Sequence, residues 1–323
     1  MRISYINLKK QWHFEKRKLL KTIENTISNG IHVGGREIIE FEKNISKACK
    51  TKYCVALNSG TDSLTLALHM AGVKKGDEVI TPPNSFIAST ATIVHLGAKP
   101  IFVDVLPDQN IDPKKIANAI TKKTKAIMPV HLTGRMAQMD KIMKIGKKYK
   151  IPVIEDAAQA IGSKLNNKFS GSWGIAGCFS AHPLKNLNAL GDSGYLTTNN
   201  KNFYKKISSL RNHGMENRNI VKNFGHVSRM DTLQAAILNF RLKYLKKVIY
   251  QRRKNVNKYN SLLNKNHVFI PSEKKNEFNT YHTFVVQVKN RDKLKKYLYN
   301  LGIETAIHYP IPLHLQPASK FLG

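Results

Sequence analysis

Acidic residues are scarce in this chain: 323 residues carry 21 Asp and Glu against 53 Lys and Arg, a formal charge of +32. Cysteine is scarcer still. Cys49, Cys54 and Cys178 are odd in number and match no zinc or redox spacing, so no structural disulfide is expected and the three read as small buried or semi-buried thiols. No apolar run approaches the roughly 20 residues of a membrane span, and Met1 to Gln11 lacks the apolar core of a secretory signal, so no membrane association and a cytoplasmic location are expected. His131, His182 and His308 show no metal spacing with an acidic partner, and no metal is expected. There is no internal repeat, no low-complexity segment and no basic arm interleaved with aromatics. The positive charge is dispersed in pairs such as Lys9-Lys10, Lys147-Lys148 and Lys246-Lys247, which suits a solvated surface more than a nucleic-acid groove.

What is present suits a sizeable folded protein. With 41% hydrophobic residues, the chain can bury a large core, with room for one large and one small domain. Short β-rich runs alternate with helical segments over the first two hundred residues. The expected strands are Tyr53–Leu57, Glu78–Thr81, Pro100–Val105, Ala126–His131, Val153–Asp156, Gly177–Ala181 and Gly194–Thr198. Helices Thr61–Ala71, Ser85–His95 and Met136–Lys148 lie between them, stopped by Gly72, Gly97 and Pro152. That pattern predicts an α/β sandwich around a mainly parallel sheet, whose ligands sit at strand ends. One long helix over Leu233–Tyr259 is expected to lead from a large domain, 1–230, into a smaller α+β domain, 231–323, with strands at Thr283–Val288 and Ile303–His308. Asn199–Asn202 and Asn219–Gly225 read as polar loops.

One lysine stands out by its neighbours. Lys185 follows a small-residue strand, Gly177–Ala181, and a turn through Pro183. Asp156 ends an apolar run, where a buried parallel strand delivers a carboxylate to the ligand-binding edge; Gln159 follows closely and Ser180 ends the next strand. Asn58-Ser-Gly-Thr-Asp62 opens an apolar helix, giving free backbone N–H groups and a hydroxyl suited to a phosphate. A lysine in that company is placed to carry an aldehyde cofactor as a Schiff base.

Seven segments carry a resemblance, in order along essentially the whole chain: Ile6-Asn-Leu-Lys-Lys-Gln11, Gly60-Thr-Asp62, Gly76-Asp-Glu-Val-Ile-Thr-Pro-Pro83 with Ser85-Phe86, Pro129-Val-His-Leu-Thr-Gly134, Glu155-Asp-Ala-Ala-Gln159, His182-Pro-Leu-Lys-Asn186 and Ser228-Arg-Met-Asp-Thr-Leu-Gln-Ala-Ala236. They resemble the pyridoxal-phosphate sugar aminotransferases of the DegT/DnrJ/EryC1/StrS type, within fold type I. The resemblance implies a seven-stranded, mainly parallel sheet sandwiched by helices, with pyridoxal 5'-phosphate as cofactor. It implies a homodimer with shared active sites that moves an amino group from L-glutamate to a nucleotide-linked keto-deoxysugar, for surface polysaccharide or glycan synthesis.

Carried over residue by residue, the resemblance gives Lys185 the covalent bond to the cofactor and the proton transfer that follows its release. Asp156 would pair with the pyridine nitrogen, Phe86 would stack on the ring and Gln159 would bond the ring hydroxyl. Gly60, Thr61 and Ser180 would hold the phosphate, where the helix dipole adds roughly 0.3–1 kcal/mol. His308, Tyr309 and Arg229 are the substrate candidates, a structural role for His308 being equally in keeping; His131 would shape the pocket wall. Val227 departs from the family's usual Asn, which reaches the phosphate in the neighbouring subunit; losing that bond costs about 1.5–3 kcal/mol, and Asn223 and Arg229 are the candidates to compensate. Ser193 stands where Gly is common. Family members usually continue past Gly323 through another strand and helix, so a shortened small domain is also expected. Two rivals are a sugar dehydratase on the same fold, whose members carry His at the Schiff-base position, and a non-catalytic regulatory or nucleic-acid-binding relative, for which the charge would be the reason.

Overall fold

The computed structural model describes residues 2–322. Seven strands form its centre: β1 (Tyr53–Leu57), β2 (Glu78–Thr81), β3 (Lys99–Phe102), β4 (Thr124–Ile127), β5 (Ile154–Asp156), β6 (Ala176–Ser180) and β7 (Gly194–Thr198). Ladders join β3-β2-β4 and β5-β6-β7-β1. Parallel bridges Ile127–Val153 and Val130–Asp156, with the Asp156 amide donating to the Pro129 carbonyl at 2.9 Å, connect β4 to β5 and make the order β3-β2-β4-β5-β6-β7-β1. Only β7 runs antiparallel to its neighbours.

Alternation along the strands explains the sandwich. On β1, Val55 and Leu57 face a cluster with Leu64, Leu68, Phe203 and Ile207, whereas Cys54 and Ala56 face Phe41, Ile45, Ala235 and Leu238. Successive side chains point to opposite faces, so both faces of the sheet need helical cover. Helices α1 (Leu8–Ile27), α2 (Arg36–Cys49), α3 (Gly60–Met70), α4 (Ile87–His95), α5 (Met139–Tyr149) and α6 (Lys201–Leu210) accompany it. Short polar side chains set several starts: Asn7 accepts from the Lys10 amide, Ser59 from Asp62 and Asn200 from Phe203, at 2.8, 3.0 and 3.0 Å. The three cysteines are buried and free, and burial pushes the Cys49 thiol up to about 12.

Four expectations are corrected. The helix over Leu233–Tyr259 is two helices, α7 (Thr232–Leu242) and α8 (Leu245–Leu262), because α7 buries Ala235 and Leu238 against the sheet while α8 must turn at Lys243–Tyr244 to bury Leu245, Ile249 and Val256. Thr283–Val288 and Ile303–His308 form no ladder: each has one bridge, Phe269–Gln287 and Ile3–Ile303, so β-propensity there meets no extended partner. Asn199–Asn202 is not all loop, since Asn200 caps α6. Within Asn219–Gly225, Ile220–Val221 pairs with Met215–Asn217 in a small hairpin.

Candidate active site

β5 ends at Asp156, which is 5% exposed. Its Oδ2 accepts from the Ser89 hydroxyl at 2.7 Å and its Oδ1 from the Ala158 amide at 3.2 Å. Both bonds fix its rotamer. The Ser180 end of β6 lies beside the start of α3: a Cβ on Gly60 would stand 2.7 Å from the Ser180 Cβ. Gly194 is tighter, since a Cβ there would be 2.2 Å from the Ser59 carbonyl carbon. Glycine at both positions lets the α3 N-terminus, with exposed Thr61, press against the β6 and β7 ends. The free amides of that first turn and the Ser180 hydroxyl make a concavity suited to a phosphate.

Lys185 lies in the turn after β6, its amide donating to the His182 carbonyl at 2.8 Å. Burial lowers its amine below the ordinary lysine range, opposed by the Asp156 carboxylate. Its neighbour Asn186 donates to the Thr280 carbonyl at 3.1 Å, drawing the 280–283 segment over the site. Gln159 accepts from the Thr133 amide at 2.7 Å and sends its amide nitrogen toward the Tyr309 hydroxyl at 3.4 Å. The half-exposed Phe86 ring is 5.9 Å from that of Tyr309, whose hydroxyl burial pushes up to about 12. His308 stands beside Tyr5, ring centroids 5.9 Å apart, and burial and the Lys185 charge lower its imidazole.

Of the residues picked from sequence, Asp156, Gln159, Lys185, Phe86, His308 and Tyr309 are thus linked through direct contacts or mutual fields, with Gly60, Thr61 and Ser180 at the strand ends. Arg229 is exposed and donates to Asn212 at 3.1 Å, apart from that group. Val227 is also exposed and bridges Asn212. His131 does not shape a pocket wall. It is fully buried, its Nε2 3.0 Å from a Glu155 oxygen and its Nδ1 accepting from the Ala137 amide at 3.3 Å. Glu155 also accepts from the amides of Gly171, Trp173 and Gly174 at 2.8, 2.7 and 2.9 Å. Neighbouring acids on one strand therefore point to opposite faces, Glu155 into the core and Asp156 to the site. Glu155→Ala strands these donors and should cost about 3–5 kcal/mol, read as a lowered urea midpoint.

Sequence reading missed Ser89, Thr133, Tyr5, Arg252 and His282. Ser89 follows Phe86 by three residues at the start of α4, a spacing that placed both on one side. Tyr5 immediately precedes the Ile6–Gln11 segment. His282, whose Nδ1 has no partner, carried no signal; burial, then the charges of Lys185, Arg252, His308 and His182, lowers its imidazole well below the ordinary value.

A family model for the DegT/DnrJ/EryC1/StrS aminotransferase family matches residues 14–322. The chain belongs to that family. It is 38% identical over 317 residues to the UDP-2-acetamido-2-deoxy-3-oxo-D-glucuronate aminotransferase of Pseudomonas aeruginosa, covering 98% of this chain and 88% of the relative. It is also 38% identical over 327 residues to a pleiotropic regulatory protein of Geobacillus stearothermophilus, covering 100% and 88%. Among solved structures, DesV of S. venezuelae in complex with a ketimine intermediate superposes with a TM-score of 0.95 at 33% identity, covering 98% of this chain and 86% of that one. Solved family neighbours are also described with bound PMP and in a PLP form. The fold is that of the type I pyridoxal-phosphate aminotransferases, with the seven-stranded, mainly parallel sheet expected from sequence. Among the described residues no helix is long and apolar enough to cross a membrane.

Proposed function

We propose that this DegT/DnrJ/EryC1/StrS aminotransferase moves an amino group from an amino-acid donor, L-glutamate, to the ketone of a nucleotide-linked keto-deoxysugar, with pyridoxal 5'-phosphate as cofactor. The observation that carries the reading is the placement of Lys185, in the turn after β6, with its buried amine in the field of the fixed Asp156 carboxylate at the end of β5. The residues fit the cofactor on three counts. The glycine-tight start of α3 against Ser180 offers backbone donors for a phosphate, Asp156 offers a fixed anion, and the Phe86 ring is half-exposed rather than packed away. When bound, the cofactor supplies an electron sink for the charge left on the substrate carbon.

The chain's own residues then divide the work. Gly60, Thr61 and Ser180 hold the phosphate; Phe86 covers the ring face; Gln159, kept in orientation by the Thr133 amide, bonds the ring hydroxyl. Asp156, ordered by Ser89, holds a proton on the ring nitrogen by charge. Lys185, whose amine burial has made easier to deprotonate, takes and returns the proton at the substrate carbon. His308 and Tyr309 face the sugar substrate.

The acting unit is a homodimer. Exposed Ile220, Val221, Phe224 and Val227 on the 215–227 excursion offer an apolar face for a second copy, which completes each site. Within one chain, 1–230 forms the cofactor domain and 231–323 the smaller one, α7 docking the second onto the first. The setting is the cytoplasm, and the product feeds a surface polysaccharide or glycan.

The purified protein with pyridoxal phosphate should show a lysine-linked absorbance band that L-glutamate converts to the spectrum of the pyridoxamine form. A wild-type protein showing neither band nor conversion would overturn the reading.

A further inference from the structure

Five arginines of the described chain are not exposed: Arg135, Arg211, Arg241, Arg252 and Arg253. Four of them pair with a glutamate, namely Glu277, Glu42, Glu15 and Glu273. Arg252 has no carboxylate within ion-pair distance among the described residues. Its Nη1 donates instead to the carbonyls of Tyr281 and His282, at 3.3 and 2.9 Å. Those two bonds fix the guanidinium plane and leave other N–H donors without a protein acceptor.

That guanidinium sits within the site group. Tyr5 is its favourable electrostatic neighbour, and the Tyr5 hydroxyl is 3.5 Å from the His308 Nε2. His282, whose backbone Arg252 holds, lies in the field of Lys185, Arg252, His308 and His182 together. The N-terminal segment delivers Tyr5 there through the Ile3–Ile303 bridge and a bond from the Tyr5 amide to Glu304 at 3.3 Å. Glu304 is committed to Arg2, at 2.9 Å. Arg252 is thus the permanent cation of this end of the pocket, without a carboxylate of its own, and burial already penalises its charge. Unpaired half-buried charge of one sign is costly, and a bound anion relieves it.

We infer that Arg252, near Tyr5 and holding the Tyr281 and His282 carbonyls, is the anchor for a carboxylate group of a substrate in the Lys185 pocket. The inference rests on the aminotransferase reading and names the chemistry of one end of its site. Two substrates can bring a carboxylate: the amino-acid donor, or an acceptor sugar that carries an acid. A guanidinium with its plane fixed by two carbonyls suits the planar, two-oxygen geometry of either.

The test uses the cofactor-loaded protein as wild type, Arg252→Gln, Arg252→Lys and Tyr5→Phe. The donor half-reaction is followed at increasing L-glutamate, the acceptor half-reaction from the pyridoxamine form with neutral and acidic keto-sugar nucleotides, and succinate, an unreactive dicarboxylate, is titrated calorimetrically. Arg252→Gln should raise the half-saturating glutamate roughly 30-fold or more, with the limiting rate and the lysine-linked band nearly unchanged, and should weaken succinate binding in parallel. Arg252→Lys should recover part of the affinity, and Tyr5→Phe, which leaves the Tyr281 and His282 carbonyls held, should show a smaller loss in the same direction. A loss confined to acidic acceptors would assign the carboxylate to the sugar and still support the anchor. Wild-type saturation by glutamate, by acidic acceptors and by succinate in both Arg252 variants would overturn it. A wild type that binds succinate through Arg252 but gives no donor half-reaction would instead overturn the aminotransferase reading and leave the anchor standing.

Discussion

Lys185→Ala should show no lysine-linked absorbance band with pyridoxal phosphate and should lose transamination by roughly 10²–10⁴-fold or more, the range for removal of a positioned proton-transfer group. Among the described residues the Lys185 amine is the one lysine nitrogen whose proton affinity burial clearly lowers, and it lies in the field of Asp156. No neighbour replaces it, because His182 is turned to the Leu184 amide, at 3.3 Å, and His308 stands against Tyr5. The fold should survive, since the structural bonds of this turn come from the Lys185 backbone and from Asn186 and Asn188, the latter donating to the Pro183 carbonyl at 2.8 Å. An unchanged urea midpoint with lost chemistry separates this role from a packing one. Partial recovery with a small added amine would strengthen it, and full activity in the variant would refute it.

Asp156→Asn should retain the fold and the Ser89 contact yet turn over roughly 10²–10⁴-fold more slowly, the equivalent of the about 3–5 kcal/mol that follows when one partner of a buried charge pair is removed. The amide is nearly isosteric: its oxygen can still accept from the Ala158 amide while its nitrogen donates to the Ser89 hydroxyl, so a spectral or kinetic change reports lost charge rather than lost shape. Ser89→Ala offers the graded comparison: the charge stays, one orienting bond goes, and the loss should be smaller. Steady-state rates and the position of the cofactor band of the three proteins decide the order. Equal activity of Asp156→Asn and wild type would remove charge from the account.

How much of the site was legible depends on how local each signal is. Asp156, Gln159, Ser180 and Lys185 lie at strand ends that their own β-rich runs define, so strand-end chemistry follows from order along the chain. Gly60 and Gly194 also carry the close approach of α3 to the sheet in their residue type. By contrast, Arg252 and His282 lie on or after the second of two helices that sequence periodicity joined into one. Nothing local distinguishes Arg252 from Arg253 beside it, yet Arg253 meets Glu273 at 2.7 Å while Arg252 meets only carbonyls within the protein. Glu155 and Asp156 are adjacent in a matched segment, and only the strand's pleat sends one to His131 and the other to the site.

The sequence by itself determined the alternation of strands and helices, the mainly parallel sheet, the residues at its strand ends and the family. The first three are set by period, caps and glycine positions, which act within a few residues, and the family by the resemblance of seven segments along the chain. The tertiary structure decided which buried charges are neutralised, where the long C-terminal helix breaks, that residues 283–288 find no ladder, and that Tyr5 reaches His308 from 303 residues away. Those outcomes depend on which groups the closed chain brings within a few ångströms, and pairing energy at that range is absent from any local stretch of sequence.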